Sequence, residues 1–295
     1  MNSKILTTLL LAAAASAAGA QTLRIGLAED PDVLDPSLAR SFVGRIVFAS
    51  LCDKLVDIDE KLNIVPQLAT SWQWSADNKA LTMKLRPGVT FHDGEKFDAA
   101  AVKFNIERHK SIAGSNRRGE LLPVSTVDVV DEMTVRLNLS APFSPLLTVL
   151  ADRAGMMVSP KAAQANPTGF GSKPVCSGPF KFVERVAQDK ITLERYANYW
   201  DKANIHFEKV TFQPIVDATV RLANLRSGQL DFIERVAPAD MVAIKKDNKL
   251  GVARITELGY QGITINTGKS DMAQKSPLGR DPRVREAFEL SLDRA

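Results

Sequence analysis

The stretch "SWQWSADNKALTMKLRPGVTFHDGEKFDAAAVKFNIER", Ser71 to Arg108, decides the fold of this chain. Its first half predicts two short strands joined by the turn-forming "SADN", because Leu81, Met83 and Leu85 alternate with polar residues. The dipeptides "PG" and "DG" predict two further turns. Asp98 is then placed to cap the helix "AAAVKFNIERH". The stretch therefore predicts strands followed by a capped helix, within an α/β protein.

Segments on both sides extend this pattern. Upstream, Thr22–Ala28 alternates as a strand and leads into "EDPDVLDPSLARS", a loop of the kind that carries ligand sites above a sheet edge. Phe42–Asp59 has the periodicity of a helix. Downstream, "FKFVERVAQDKITLERY" predicts a hairpin, and a helix runs from its cap Asp217 to Gly228. Gly259–Asn266 predicts another strand, so strands and helices alternate as in α/β folds.

Composition excludes several classes of function. Of the 295 residues, 45% are hydrophobic and 24% are charged, which is typical of a folded soluble protein. The formal net charge is +4, but acidic and basic residues are interspersed along the chain. A nucleic-acid-binding protein would be expected to cluster its Lys and Arg. We therefore expect no nucleic-acid partner.

The first twenty residues have the features of a secretory signal peptide. Lys4 supplies the positive start, Ile5–Ala15 is an apolar run too short to span a bilayer, and "AGA" is a small-residue cleavage site. The mature protein is therefore expected to begin at Gln21 and to be periplasmic. Since no cysteine follows the cleavage site, a lipid anchor is not indicated.

Export determines how the two cysteines are interpreted. In an oxidising compartment, an even pair suggests a disulfide between Cys52 and Cys176. The alternative is two separate buried thiols. We expect the bond, which would close a long loop and thereby reduce the entropy of the unfolded chain.

The sequence lacks the familiar motifs for catalysis and metal binding. The chain has no Gly-x-Ser-x-Gly elbow, Walker loop or His-Glu-x-x-His motif. His92, His109 and His206 are too far apart in sequence to suggest a metal site, and turn or surface positions are expected for them. We therefore expect neither a cofactor nor a metal, and no enzymatic activity.

Four carboxylates cluster in the loop after the first strand. Glu29, Asp30, Asp32 and Asp35 could coordinate a cation, but they lack the regular alternate spacing of a calcium loop. Roles in turns and in solubility are the expected alternative.

Several stretches, in order along the chain, carry a resemblance to a known family. They are "LDPSLARSF", the block from "LCDKLVDIDEKLNIVPQLAT" through Arg108, "VRLNLSAPFSPLL", "VCSGPFKFVE", "RYANYWD", "LRSGQLDF" and "DPRVREAFELSLDR". Together they closely resemble the extracellular solute-binding proteins of family 5. These are the peptide, glutathione and nickel receptors of ABC importers.

The resemblance implies a two-lobed periplasmic-binding-protein-like α/β fold of type II with an inserted extra domain. Most of the second lobe is expected to be missing, so that the chain would bind ligand poorly or not at all. The implied boundaries are a signal peptide at 1–20, lobe I at 21–45 and 171–265, an inserted α+β domain at 46–170, and the start of lobe II at 266–295.

The last fifteen residues, 281–295, illustrate this expectation. Asp281 and Pro282 predict a helix start, and Val284, Phe288 and Leu292 form an apolar stripe. By the resemblance, the stripe belongs to the first helix of the second lobe, and its partner surface lies outside this sequence.

The resemblance also implies which residues meet the ligand. Because several of them are arginines, whose forked guanidinium binds carboxylates bidentately, we expect a short peptide or a glutathione-like ligand with a free carboxylate. The implied ligand-binding residues are Arg40, Ser41, Phe42, Arg117 or Arg118, Glu234, Arg235, Tyr260 and Gln261.

Mechanism and partners follow from the same resemblance. Ligand would bridge the two lobes and close a hinge, and the closed receptor, a monomer, would dock on an ABC permease in the inner membrane. Alternatives are an exported hydrolase acting on peptides or glycans, and a nickel-chelate or haem receptor.

One departure from the family pattern supports the expected disulfide: Cys176 stands where many relatives have the first glycine of "GTGPY".

Overall fold

The computed structural model describes residues 21–254 and 262–293, which divide between Leu250 and Gly251 into a first and a second unit. The strands, all in the first unit, are β1 Thr22–Leu27, β2 Val56–Ile58, β3 Ile64–Pro66, β4 Ala69–Trp74, β5 Ala80–Leu85, β6 Val124–Asp131, β7 Thr134–Leu139, β8 Phe180–Val186, β9 Lys190–Arg195, β10 Lys209–Pro214 and β11 Phe232–Ile233. The α-helices are α1 Phe42–Leu51, α2 Ala99–Ser111, α3 Leu146–Leu150, α4 Pro160–Ala165, α5 Ala218–Arg226, α6 Met241–Lys246, α7 Asp271–Lys275, α8 Pro277–Arg280 and α9 Pro282–Leu290.

Five of the strands form a mixed sheet in the order β11-β1-β10-β9-β8. The predicted strand β1 pairs in parallel with both β10 and β11, whereas β10, β9 and β8 pair antiparallel. Because β1, β10 and β11 run in the same direction, their carboxyl ends meet at one edge of the sheet. In open α/β sheets this edge is where ligands bind.

A second sheet, in the order β4-β5-β7-β6, is antiparallel throughout. It contains the predicted hairpin of β4 and β5, with Trp72 opposite Met83. Asn78 completes the hairpin turn with a φ of 54°, a left-handed conformation that Asn tolerates better than most residues. Leu81, Met83 and Leu85 are buried, as their alternation predicts.

The predicted cap of α2 is also confirmed. Asp98 Oδ1 accepts a hydrogen bond of 2.8 Å from the backbone N–H of Ala101. Phe97 and Val102, which flank the cap, are buried in the same cluster as the antiparallel sheet. This helix therefore packs against the antiparallel sheet through its apolar face.

Two large buried clusters fill the first unit. One surrounds the antiparallel sheet and α2, and the other packs α1 against β1, β9 and β10. Val47, Phe48 and Leu51 of α1 all belong to the second cluster. The boundary expected between residues 45 and 46 thus falls inside a helix that packs as one piece on the five-stranded sheet.

The helix predicted over Phe42–Asp59 is too long. It ends at Leu51, and Val56–Ile58 forms β2 instead. Strand geometry prevails there because β2 finds an antiparallel partner in β3. The Asp59 carboxylate closes the turn between them by accepting hydrogen bonds from the backbone of Lys61 and Asn63.

Cys52, immediately after α1, forms the expected disulfide with Cys176, and their Cα atoms are 4.9 Å apart. Gly178 lies against the end of α1, where a Cβ would be 2.6 Å from the carbonyl of Leu51, so only glycine fits. His92 stands in the predicted turn and binds the same segment: its Nδ1 accepts from the Cys176 N–H, and its Nε2 lies 3.0 Å from the Gly178 carbonyl.

The second unit contains the predicted C-terminal helix, α9. Asp281 Oδ1 accepts a 2.9 Å hydrogen bond from the Arg283 N–H, and no residue of α9 is buried. Arg285 donates to the carbonyls of Leu278 and Gly279 and so joins α9 to α8. The strand predicted over Gly259–Asn266 is not found in its described part, since residues 262–266 pair with no other strand.

Candidate functional site

The candidate site lies at the sheet edge where β1, β10 and β11 end. Their following loops begin at Ala28, Ile215 and Glu234. A Glu234 carboxylate oxygen accepts a 2.7 Å hydrogen bond from the Ala28 N–H and ties the first loop to the third. Gly26 of β1 packs closely against Leu230, so β1 lies next to the residues that precede β11.

The first of these loops rests on a set of four buried residues, Asp35, Ser37, Arg108 and His109, which we call the floor. Arg108 binds the Asp35 carboxylate through both ends of its guanidinium, at 3.0 and 2.6 Å, and also donates to Ser37 Oγ. The side chains of this ion pair are 7% and 1% exposed. The floor thus joins the loop after β1 to α2 by a desolvated bidentate pair.

His109 completes the floor, and its burial corrects the expectation of a turn or surface position. Its Nδ1 lies 2.9 Å from Ser37 Oγ, and its Nε2 lies 3.3 Å from the Met156 carbonyl. Because Ser37 Oγ accepts from Arg108, the hydroxyl proton is free for Nδ1, which assigns the neutral ring with the proton on Nε2. Burial lowers the pKa of His109 to about 4.

Two other carboxylates of the loop, Asp30 and Asp32, have structural partners as well. Asp30 pairs with Arg185 at 3.0 Å. Asp32 accepts hydrogen bonds from the backbone of Arg40 and Ser41 and from the Ser41 hydroxyl. Burial acts to raise the pKa of Asp32, but these hydrogen bonds outweigh it and lower the pKa. Together these contacts support the expectation that the cluster shapes the loop.

Three of the residues expected to bind ligand are exposed, Arg40, Phe42 and Arg235, and we call this set the rim. The Arg235 guanidinium stands over the Phe42 ring, 4.9 Å from its centroid. Phe42 is 39% exposed, and the side chain of Arg235 is 55% exposed. Arg40, two residues before Phe42 in the sequence, is also exposed, and its Nε donates to Asn116 at 3.1 Å.

Ser41 lies between two rim residues, but its side chain serves the backbone. Its Oγ accepts from the Gly44 N–H as the N-cap of α1 and donates to Asp32 at 3.0 Å. The hydroxyl is thereby engaged at both a donor and an acceptor site. Ser41 holds the start of α1 and with it the position of Phe42.

The two arginines expected from the "SNRRGEL" segment are placed differently. Arg117 is buried and forms an ion pair with Glu120, and it also donates to the Ala39 carbonyl at 3.3 Å. Arg118 is exposed, and its guanidinium lies at the end of α2, where it donates to the carbonyl of Lys110 at 2.9 Å. Tyr260 and Gln261 fall outside the described residues.

The structure also reveals a residue that sequence reasoning missed. Arg153 is buried, and its Nη1 donates to the carbonyls of Ala39, at 3.0 Å, and of Ser41. Burial lowers the pKa of Arg153, and the neighbouring guanidiniums of Arg45 and Arg117 lower it further. Within "LADRA" nothing distinguishes this arginine from one on a helix surface, so no sequence signal could have found it.

Two other features were compared with the rim. A surface hollow of 330 Å³ is lined by Trp74, Asn78, Pro142, Phe143 and Ser144, none of which is charged. Over the described ranges, no three His, Cys, Asp or Glu side chains come close enough to hold a metal ion, and no helix is long and apolar enough to cross a bilayer. The rim therefore suits an anion better than this uncharged hollow does.

Comparison with known sequences agrees with this arrangement. The family described as bacterial extracellular solute-binding proteins, family 5 (middle), matches residues 63–295. The chain is 29% identical over 262 residues to the glutathione-binding protein GsiB of Pectobacterium atrosepticum, covering 88% of this chain and 50% of GsiB. Against GsiB of Escherichia coli K12 the identity is 27%, covering 98% and 55%. The chain thus spans about half the length of these curated relatives.

Solved structures agree as well. The binding protein AgaA from A. tumefaciens R10, in complex with agropinic acid, superposes with a TM-score of 0.73 at 32% identity over 77% of this chain and 46% of AgaA. The periplasmic murein tripeptide binding protein MppA, in its unliganded open form, gives 0.71 at 25% identity over 79% and 48%. These likenesses confirm the predicted fold class, of which this chain carries about half. This chain belongs to the bacterial extracellular solute-binding proteins of family 5.

Proposed function

We propose that this chain supplies one side of the binding site of a periplasmic ABC-importer receptor. Its ligand would be a small peptide or glutathione-like molecule with a free carboxylate. The observation that carries the proposal is the rim: the exposed guanidinium of Arg235 stands over the half-exposed ring of Phe42, on segments that follow the carboxyl ends of parallel strands. Arg40, two residues before Phe42 in the sequence, is a second exposed arginine. The domain boundaries given above belong to the same proposal.

The chemistry of the rim fits such a ligand. An arginine fork binds a carboxylate through two parallel hydrogen bonds, and an aromatic face packs against apolar parts of a ligand. Two similar proteins are named for binding glutathione and a murein tripeptide, and both of these ligands are peptides that carry free carboxylates. The rest of the site would come from the half of the relatives' length that this chain does not span.

Binding in this proposal makes and breaks no covalent bond. The ligand would shift the receptor toward a closed form, because contacts from both sides are made only when the site closes around it. The closed receptor, a monomer, would then deliver its ligand to a permease in the inner membrane.

Because the chain supplies only one side of the site, we expect weak binding. Titration of the chain with glutathione and with glutathione diethyl ester, followed by ligand-observed NMR, which detects weak binding, tests the proposal. We expect binding of the free acid to weaken by about tenfold or more in Arg40→Ala and in Arg235→Ala, a loss of about 1.4 kcal/mol each. The ester should bind weakly to every variant. Arg226→Ala, which removes an exposed arginine at the end of α5, is the matched control.

Equal affinity for the acid and the ester in the unmodified chain would contradict the proposal. So would an affinity that is unchanged in both rim variants. Loss of binding in the Arg226→Ala control would show that net charge, and not the rim, attracts the ligand.

A further inference from the structure

A buried arginine on α5 reaches the two loops beneath the rim. Arg221 is 3% exposed, and its guanidinium donates to three backbone carbonyls. Nη1 binds the carbonyls of Ile215 and Val216, after β10, at 2.6 and 2.8 Å. Nη2 binds the carbonyl of Arg235, after β11, at 3.0 Å. One guanidinium therefore joins the ends of two strands.

Only arginine can make this connection. Its planar guanidinium presents donors in a rigid fork, whereas lysine carries one flexible ammonium that cannot span two loops in the same way. Backbone carbonyls take the hydrogen bonds of both Nη atoms of Arg221, and its buried Nε–H finds no partner among the described residues. A desolvated cation held in this way makes strong, charge-assisted bonds that fix the carbonyls.

Arg235, whose carbonyl accepts the Arg221 hydrogen bond, has an unusual backbone conformation. Arg235 has a φ of 53°, in the left-handed region where a side chain with a Cβ is disfavoured. Such a conformation persists when surrounding contacts hold it. The Arg221 bond to the Arg235 carbonyl is one such contact, and the Glu234 bond to the Ala28 N–H is another.

We propose that Arg221 is a positioning residue for ligand recognition. It holds Arg235 in its left-handed conformation, so that the Arg235 guanidinium stands over Phe42 and meets the ligand carboxylate at the rim. This inference rests on the proposed function for its ligand, but the backbone part of it stands on the geometry alone.

The backbone part is tested without ligand, by urea unfolding of the chain. Arg221→Lys keeps the charge and should lower the unfolding midpoint. Glycine adopts positive φ without strain. In Arg235→Gly, the backbone conformation of residue 235 should therefore depend less on the hydrogen bond from Arg221. We expect the midpoint shift caused by Arg221→Lys to be less than half as large in the Arg235→Gly background.

Additive effects of the two substitutions would overturn the backbone part. Arg226→Lys, on the same helix but exposed, is the control and should leave the midpoint unchanged. Far-UV circular dichroism shows whether each variant is folded before the midpoints are compared.

The ligand part is tested by titration with glutathione. Arg221→Lys should weaken binding by about five- to tenfold, a loss of about 1 kcal/mol. In a chain that already carries Arg235→Ala, it should cause no further loss of affinity. A merely structural role would give additive losses, which would overturn the positioning role.

The outcomes separate this inference from the proposed function. If Arg235→Ala weakens binding and Arg221→Lys does not, the positioning role is wrong and the proposed function stands. If Arg235→Ala leaves binding unchanged, Arg235 has no place in the proposed function and the ligand part falls with it. The urea experiment then decides whether Arg221 holds residue 235.

Discussion

The floor and the rim each include residues of the loop after β1, and they use arginine in opposite ways. In the floor, Arg108 is desolvated and bound to Asp35, and its side chain is 7% exposed. In the rim, the side chain of Arg235 is 55% exposed and faces an aromatic ring. The first arginine is enclosed with its carboxylate, whereas the second, which pairs through Nε with Glu234 at 3.4 Å, presents an exposed guanidinium to a ligand.

The difference separates stability from recognition. A buried charge that loses its partner is costly, because it has left water and has no compensating contact. An exposed charge contributes little to stability, since water and salt screen it. Changes in the floor should therefore alter folding, and changes in the rim should alter binding.

Breaking the floor should have the largest effect. Arg108→Met removes one partner and leaves the Asp35 carboxylate buried, so we expect a loss of about 3–5 kcal/mol in the free energy of unfolding. Urea unfolding followed by circular dichroism measures it. The double variant Asp35→Asn, Arg108→Met removes both charges and should recover much of the loss.

A matched pair at the surface sharpens this prediction. Arg24 binds Asp231 in the same bidentate manner, at 2.9 and 2.7 Å, but both side chains are exposed. Arg24→Met should change stability far less than Arg108→Met. Equal losses in the two variants would show that burial does not distinguish the floor.

The disulfide beneath α1 should have the next largest effect. It joins residues 124 apart in sequence, so the double variant Cys52→Ser, Cys176→Ser restores entropy to the unfolded chain and should lose about 2–4 kcal/mol. A reducing agent should bring the unmodified chain to the unfolding midpoint of this variant and leave the variant unchanged. Identical midpoints with and without reductant would contradict this.

The pH dependence of stability should report on His109. Its pKa is about 4 in the folded chain and about 6.5 when unfolded, so its contribution is complete above pH 6.5 and is lost as pH falls toward 4. We expect a loss of up to about 3 kcal/mol over that range. His109→Gln can keep a donor and an acceptor, and it should flatten the slope in urea unfolding at pH 4.5, 5.5 and 6.5.

Asp53 changes stability with pH in the direction opposite to His109. It accepts hydrogen bonds from the Trp200 indole, at 2.7 Å, and from the Tyr199 hydroxyl, yet burial raises its pKa to about 7. Its contribution is complete below pH 3.8 and is lost as pH rises through 7. Asp53→Asn should therefore steepen the gain in stability between pH 4.5 and 6.5. A shallower gain would contradict the assignment.

The rim should show the smallest effect on folding. Arg40→Ala and Arg235→Ala should each change the free energy of unfolding by about 0.5 kcal/mol or less, as expected for exposed side chains. The same urea experiment measures both variants. A loss as large as that of Arg108→Met would place the rim among the structural residues.

Local patterns in the sequence predicted the elements that depend on near neighbours. The hairpin of β4 and β5, the Asp98 cap of α2 and the strand β1 are all confirmed. The helix expected over Phe42–Asp59 is wrong because pairing of β2 with β3 overrides the helical pattern, and that pairing depends on a turn closed by Asp59. Tertiary contacts decide where local preference is weak.

The candidate site was predictable only in part. The resemblance pointed to Phe42 and Arg235, which the structure brings into contact, and to Arg40, which is exposed. It could not show that Arg117 is buried, nor that Arg153 and Arg221 donate to backbone carbonyls of the site loops. Whether an arginine faces ligand or backbone depends on which loops lie over it, and that is set by contacts between residues far apart in sequence.

The most direct test of this account is to map glutathione binding onto the chain by NMR. With backbone amides assigned, we expect the largest chemical-shift changes at residues 40–42 and 234–236 and small changes at the floor and at the hollow near Trp74. Changes centred on that hollow, or shifts of equal size with glutathione diethyl ester, would contradict the claim that the rim binds a free carboxylate.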